Sequence, residues 1–174
     1  TFDAGNLAQT VEGKIAPATP YDESMPPGPT GAPEHLVYSL DGQEIIRIYP
    51  IQDYIALWNA AGNPAIADTV NNLQSILMNS SPELDRNIPI LPPQGGVNDL
   101  SVQISYPLFT EGRGIRFAGR ISQDASPYLD VQFNYYFQGL TSDGKYYVSV
   151  IYPVSIPALP QDMTQISAED QEEI

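Results

Sequence analysis

The sequence contains no cysteine. Disulfides, thiolate zinc sites and a cysteine nucleophile are therefore excluded for this chain. Histidine is almost as scarce. His35 is the single one, it falls in a predicted strand, and the chain has no G-x-S-x-G elbow to go with it. Basic residues number 7 against 21 acids, a formal net charge of −14. Phosphate contacts need clustered Lys and Arg, so nucleic acid is excluded as a partner, and an anionic membrane surface is disfavoured for the same reason. No apolar run reaches the length of a spanning helix, so we expect no membrane insertion of this domain. Gly112-Arg113-Gly114 lacks the remainder of either glycine-rich phosphate motif. The acids are mostly isolated; Asp22-Glu23 and Asp124 with Asp130 are the closest groupings, and no EF-hand spacing occurs. We accordingly expect no cofactor, no metal ligands and no catalytic residue.

What the chain does have is proline and tyrosine, 17 and 11 of them. The prolines are roughly twice the usual share of about 5%, and they cluster, which marks loops. A chain of 174 residues is large enough to bury a core as one domain, here 1–174. It opens at Thr1 without Met and without a signal-peptide pattern, so we expect a mature protein or a segment trimmed at both ends.

The stretch from Asp130 to Tyr152 organises the reading. Val131, Phe133, Tyr135 and Phe137 alternate with Gln132, Asn134, Tyr136 and Gln138, which predicts a strand with an apolar face and a polar-aromatic face. After Asp143-Gly144, a turn pair, Tyr146, Val148, Val150 and Tyr152 repeat the pattern on a return strand. Upstream, Leu100 to Tyr106 and Ile115 to Ile121 alternate in the same way. In the first half, Asp41-Gly42 joins Glu34–Leu40 to Gln43–Tyr49, with Leu36, Tyr38, Leu40, Ile46 and Ile48 expected to face one core. Leu7–Ile15 is expected to form a short strand anchored by Val11 and Ile15. Ile51, Tyr54, Ile55 and Trp58 are at helical spacing after Pro50 and stop at Gly62. Asn63 and Pro64 open a second helix with a stripe of Ile66, Val70, Leu73 and Leu77, which Pro82 ends. Residues 16–33 carry six of the prolines and read as a long surface loop tacked down by Tyr21 and Met25. Ile88, Ile90 and Leu91 should order a second Pro/Gly-rich crossing. Residues 167–174, with Ser167 as cap and Glu169 and Asp170 in the first turn, read as the start of a C-terminal helix. The fold class is therefore α+β: an antiparallel sheet of about six strands built from hairpins, with two to three helices packed on it.

The segment FQGLTSDGKYYVSVIYPVSIPALP (Phe137 to Pro160), preceded by GRGIRFAGR (Gly112 to Arg120), resembles a family of uncharacterised bacterial extracytoplasmic proteins, often lipoproteins. ATPYDES (Ala18 to Ser24) and PEHLVYSLDG (Pro33 to Gly42) resemble the same family. The resemblance implies a secreted or lipid-anchored protein whose lipobox Cys would lie upstream of Thr1, and it implies no activity. More remotely, the order of hairpin, helices, antiparallel strands and final helix is similar to PsbP-like domains, α/β sandwiches that act as non-enzymatic accessory subunits.

The polar face of the predicted sheet is the candidate surface. In the expected registers Gln103, Arg116, Arg120, Gln132, Asn134, Tyr136, Gln138 and Tyr147 point to one side. Two of the 7 basic residues stand there among Tyr and amide side chains, and Tyr and Arg are enriched at interface hot spots. The partner expected is a protein or a small polar or anionic ligand. Against this stands a structural reading, in which helices or the 16–33 loop cover the face and the arginines pair with local acids such as Glu111 or Asp130. The function expected is a non-catalytic extracytoplasmic binding or scaffolding module. The alternatives are a carboxylate-based hydrolase of cell-wall or extracellular carbohydrate, which needs two carboxylates flanking one cleft, and a purely structural domain.

Overall fold

Two hairpins set the sheet. In the first, β4 (His35–Leu40) and β5 (Gln43–Pro50) meet at Asp41 and Gly42, with φ of 48° and 83°. Positive φ at both turn residues matches the right-handed twist of the strands it joins. In the second, β9 (Phe133–Thr141) and β10 (Tyr146–Pro153) are joined by a turn in which Gly144 has φ 69° and its N–H donates to the Thr141 carbonyl at 2.9 Å. Both turns lie where the Asp-Gly pairs predict them. The computed structural model describes residues 7–80, 88–123 and 126–166.

The remaining strands are β1 (Val11–Ala16), β6 (Val97–Ser105), β7 (Leu108–Phe109) and β8 (Gly112–Ser122) in the main sheet, and a separate ribbon of β2 (Thr19–Asp22) and β3 (Thr30–Ala32). The main sheet is antiparallel and eight-stranded, ordered β1-β4-β5-β10-β9-β8-β6, with β7 on β8. The expectation of about six strands is thus too low. The excess in that sheet is the six-residue edge strand β1 and the two-residue β7, while the 16–33 segment, read as a loop, folds into the separate β2–β3 ribbon. Tyr21 does tack that segment down, edge-on to Trp58 at 5.1 Å and accepting a hydrogen bond from Asn63. Met25, 48% exposed, does not.

Helix α1 (Ile51–Asn59) and helix α2 (Ala65–Asn79) connect β5 to β6. The N-cap of α2 is Pro64, one residue beyond the expected Asn63; the Asn63 side-chain oxygen accepts from the Ala65 N–H at 3.0 Å from just outside the helix. The helix ends at Ser80, which takes φ 43°; Pro82 and the helix expected at 167–174 lie outside the described residues. Because β5 and β6 are separated in the sheet by β10, β9 and β8, this crossover must run over one face of those three strands. It buries Trp58, Ile66, Leu73 and Leu77 against Ile115, Phe117, Tyr136 and Tyr147, with Ile88 and Leu91 closing the layer. The helices therefore lie on the polar-aromatic face. On the opposite face Leu40 and Ile46 are buried, with Tyr38, Ile48, Val148, Val150 and Tyr152 half-buried around them. The residues expected to face one core do gather together, but on the face without helices. Val11 and Ile15, expected as anchors, are 40% and 68% exposed on the edge strand.

β8 runs unusually close to its neighbours. A Cβ at Gly119 would stand 2.3 Å from the Leu100 carbonyl oxygen of β6, a backbone atom that can move only with its strand. Gly119→Ala is expected to destabilise the fold by about 1–3 kcal/mol, the usual cost of overpacking, read as a lower urea midpoint at unchanged m-value.

Candidate functional site

The side chains expected on one exposed face are divided between the two faces and are mostly buried. In the β8–β9 register Arg116 is opposite Phe137 and Arg120 opposite Phe133, whereas Phe117 is opposite Tyr136 and Ile115 opposite Gln138. Residues directly opposite on antiparallel strands share a face. Arg116 and Arg120 are thus on the face without helices, and Asn134, Tyr136, Gln138 and Tyr147 on the helix face. Tyr136 is 2% exposed, and Gln138 and Tyr147 are fully buried. Gln103 lies within a bulged stretch of β6 at φ 58°, which breaks the alternation on which its placement rested.

Arg120 is itself 2% exposed. Its Nε donates to Asp99 at 2.9 Å, and Nη1 donates to the carbonyls of Ser126 and Pro127 and to Gln132 Oε1 at 2.9, 3.0 and 3.0 Å. Nη2 completes a bidentate pair with Asp99, and the guanidinium lies 4.4 Å from the Tyr128 ring centre. Its partner acid is Asp99, rather than Glu111 or Asp130. Asp130 accepts instead from Ser155 Oγ at 2.9 Å and from the Ile156 N–H. Arg116 is exposed and donates to Ser105 Oγ at 2.5 Å. Gln138 accepts from the Leu91 N–H at 3.1 Å and from the Tyr147 hydroxyl at 2.9 Å, while Ser149 Oγ donates to the Leu91 carbonyl. Of the predicted surface, then, Arg120, Gln132, Gln138 and Tyr147 are structural ties, and Arg116 remains at the surface.

A different site emerges where the helix layer stops short of the sheet edge. A cleft of about 490 Å³ opens over the helix-side face of β1, β4 and β5, roofed by the β2–β3 ribbon and by Pro92 and Pro93. That volume is within the range of roughly 300–1,000 Å³ typical of small-molecule sites. Its floor is a row of rings: His35 to Tyr49 at 4.5 Å between centres, Tyr49 to Tyr54 at 4.9 Å, Tyr54 to Trp58 at 6.3 Å. Trp58 is oriented by its indole N–H, which donates to the Gly31 carbonyl at 3.0 Å, and His35 by Nδ1, 2.8 Å from the Pro33 carbonyl.

One rim is charged. Glu44 is 2.6 Å from Lys14 Nζ and 3.3 Å from Arg47 Nη2. The Lys14 hydrogen bond holds the Glu44 carboxyl below its ordinary range despite the opposing effect of desolvation, with a smaller pull from Arg47. Two of the chain's 7 cations therefore flank a single acid here, in a molecule of net charge −14.

Tyr49 and Tyr54 are 2% and 1% exposed, yet neither hydroxyl has a hydrogen-bond partner among the described residues. No described side-chain nitrogen or oxygen is both sealed from solvent and unpaired, so both hydroxyls must reach open space, and the space these residues line is the cleft. Burial pushes both phenols well up, with Arg47 drawing Tyr49 partly back. They stay protonated at any physiological pH and offer two neutral donors.

Sequence reasoning passed over this site because its parts read as core. Tyr54 and Trp58 lie on the apolar stripe of α1, and Tyr49 on an alternating strand. The available signal was Arg47, a charge inside the otherwise apolar run Ile45–Tyr49. Among known protein-family models, curated proteins and solved structures, none matches this chain.

Proposed function

We propose that the chain is a non-catalytic extracytoplasmic binding module, and that its ligand is a small anionic molecule held in the cleft over β1, β4 and β5. The observation that carries this is the pair of Tyr49 and Tyr54 hydroxyls, on otherwise buried side chains, that open to the cleft without an acceptor among the described residues, beside the Lys14–Glu44–Arg47 rim. Buried polar groups are normally paired, and an acceptor oxygen on a ligand satisfies both. The cations supply the charge complement, and the largely apolar lining can lie against the carbon part of the ligand.

The lining favours binding over the hydrolase alternative. A glycosidase needs two carboxylates flanking one cleft. Glu44 is the one acid among the described residues that line this cleft, and it is paired with Lys14 and Arg47. The extracytoplasmic family and the PsbP-like arrangement stand as proposals beside this one, the latter supported by the two-helix layer on one face of an antiparallel sheet.

Trp58 is the only tryptophan, and it lines the cleft, so its emission reports occupancy directly. Titration with glucuronate, inorganic phosphate and, as the neutral control, glucose is expected to give a saturable change with at least one anion and a weaker one with glucose. Arg47→Met should weaken that anion about 10-fold or more, as loss of a charge-assisted hydrogen bond does. Tyr54→Phe should weaken it severalfold at unchanged Tm. Flat Trp58 emission with both anions, or equal affinity in the Arg47 variant, would sink the reading.

A further inference from the structure

The two edges of the main sheet are built differently. β6, at one end, pairs with β8 through register shifts between Asn98 and Leu100 and between Val102 and Ser105, and carries Gln103 at φ 58°. Bulges of this kind blunt an edge against pairing with another chain. β1, at the other end, is regular: all six residues pair with β4 without a shift, from Val11 opposite Leu40 to Ala16 opposite His35. Val11 to Ile15 are all exposed, and among the described residues no strand pairs with the outer side of β1.

The direction of the free backbone groups follows from one bond. The Asp41 N–H donates to the Thr10 carbonyl at 3.1 Å, in the same register as the ladder. Successive residues of a strand direct their N–H and C=O groups to alternate sides. Thr10, Glu12, Lys14 and Ala16 therefore bond toward β4, and Val11, Gly13 and Ile15 present theirs outward.

We infer that β1 pairs antiparallel with β1 of a second copy of this chain, about a two-fold axis at Gly13. In that register Gly13 meets Gly13, and Val11 of each copy meets Ile15 of the other. Every pair joins two residues with outward-facing groups, so each can exchange both hydrogen bonds. The side chains match as well. Glu12 of one copy is opposite Lys14 of the other on the helix-side face, and the reciprocal pair forms by symmetry. On the other face Val11 and Ile15, 40% and 68% exposed in the single chain, cover one another. Between them the Tyr38 ring fills the place of a side chain at Gly13, where a Cβ would stand 2.9 Å from it. A shift of two residues, the smallest that again pairs outward-facing groups, sets Glu12 opposite Glu12 or Lys14 opposite Lys14, so the charge order of VEGKIA favours the register centred on Gly13. The pairing shares Lys14 with the cleft rim, where its Nζ is 2.6 Å from Glu44, and it brings Glu12 of the second copy beside that rim.

The test is sedimentation velocity at about 0.15 M salt, where the Debye length of about 8 Å screens the overall negative charge but not contact pairs. The wild-type chain is expected to dimerise reversibly. E12K and K14E each place like charges opposite one another twice per dimer and should weaken it on the order of 30-fold. Mixed in equal amounts the two variants should recover a dimer, since each then meets its opposite charge. I15P removes an outward N–H while leaving the β4 ladder intact and should yield a monomer with the wild-type Tm extrapolated to low concentration. A wild-type chain that remains monomeric at its solubility limit overturns the inference, as does a dimer that survives I15P or a mixture of E12K and K14E that does not associate.

Discussion

Replacing Arg120 with methionine is expected to lower stability by about 3–5 kcal/mol, the range for breaking a buried charge pair by removing one partner. For a domain of this length that is a fall in Tm of roughly 10 °C. The guanidinium is 2% exposed and gathers Asp99, the carbonyls of Ser126 and Pro127, and Gln132 around itself. Methionine fills much of the volume but returns none of these bonds. The carbonyls then lie at a site too crowded for water to replace five N–H donors. Asp99, 24% exposed at its side chain, can rotate toward solvent, which keeps the cost from rising further. The comparison is Arg116→Met. Arg116 is exposed, with one bond to Ser105, so its loss should cost within about 0.5 kcal/mol, as for ordinary surface positions. Urea denaturation of both variants checks the pair; equal and small effects would show that Arg120 is not the tie described. A further consequence is practical. A double reversal of Arg116 and Arg120 is expected to lower stability, so a loss of binding in it would not by itself locate a binding face.

Gln138→Ala is expected to cost a similar amount, about 3–5 kcal/mol, through a different mechanism. Gln138 is fully buried and satisfies three groups at once: the Leu91 N–H, the Tyr147 hydroxyl and Ser149 Oγ. Truncation leaves the Leu91 N–H without an acceptor and the Tyr147 hydroxyl with only the Pro89 carbonyl at 3.5 Å, at about 1–3 kcal/mol each, and opens a cavity beneath them. The loss should also be local. Leu91 is held to the sheet at both backbone groups, by Gln138 at its N–H and by Ser149 at its carbonyl. Pro92 and Pro93, next in sequence, roof the cleft. Hydrogen exchange at the Leu91 amide should therefore accelerate more than exchange at amides of β9 and β10, and Trp58 emission should shift even without ligand. Uniform acceleration across the sheet would mean that the crossing is not separately anchored.

These two side chains show where alternation misleads. Their polarity placed them, by the usual rule, on the solvent side of a half-buried strand. Both are instead buried by bonding partners far away in sequence: Asp99 is 21 residues from Arg120, and Leu91 is 47 from Gln138. A polar side chain is excluded from a core only when it lacks partners, and partners at that separation cannot be read from a strand pattern. The same limit hid the cleft. Tyr49, Tyr54 and Trp58 have the spacing of core residues and are core residues, each at most 2% exposed. They line the cleft all the same.

What the sequence by itself determined is the set of local elements. Asp41-Gly42 and Asp143-Gly144 specify turns because positive φ costs glycine little, and both hairpins form there. The stripe from Ile66 to Leu77 specifies α2, and all four of its residues are buried. Even the self-complementary order of charges in VEGKIA is a local property. The tertiary structure alone decided which face of the sheet became the core. β5 and β6 lie on opposite sides of β10, β9 and β8, so the helices joining them had to cross one face, and Tyr136, Gln138 and Tyr147 were sealed beneath them. It also decided where that cover ends. Beyond α1 the sheet continues through β4 to β1, and there the uncovered helix-side face, with its row of rings and its Lys14–Glu44–Arg47 rim, becomes a cleft. Neither outcome depends on the periodicity of any one segment; both follow from the length of a crossover relative to the width of the sheet it must span.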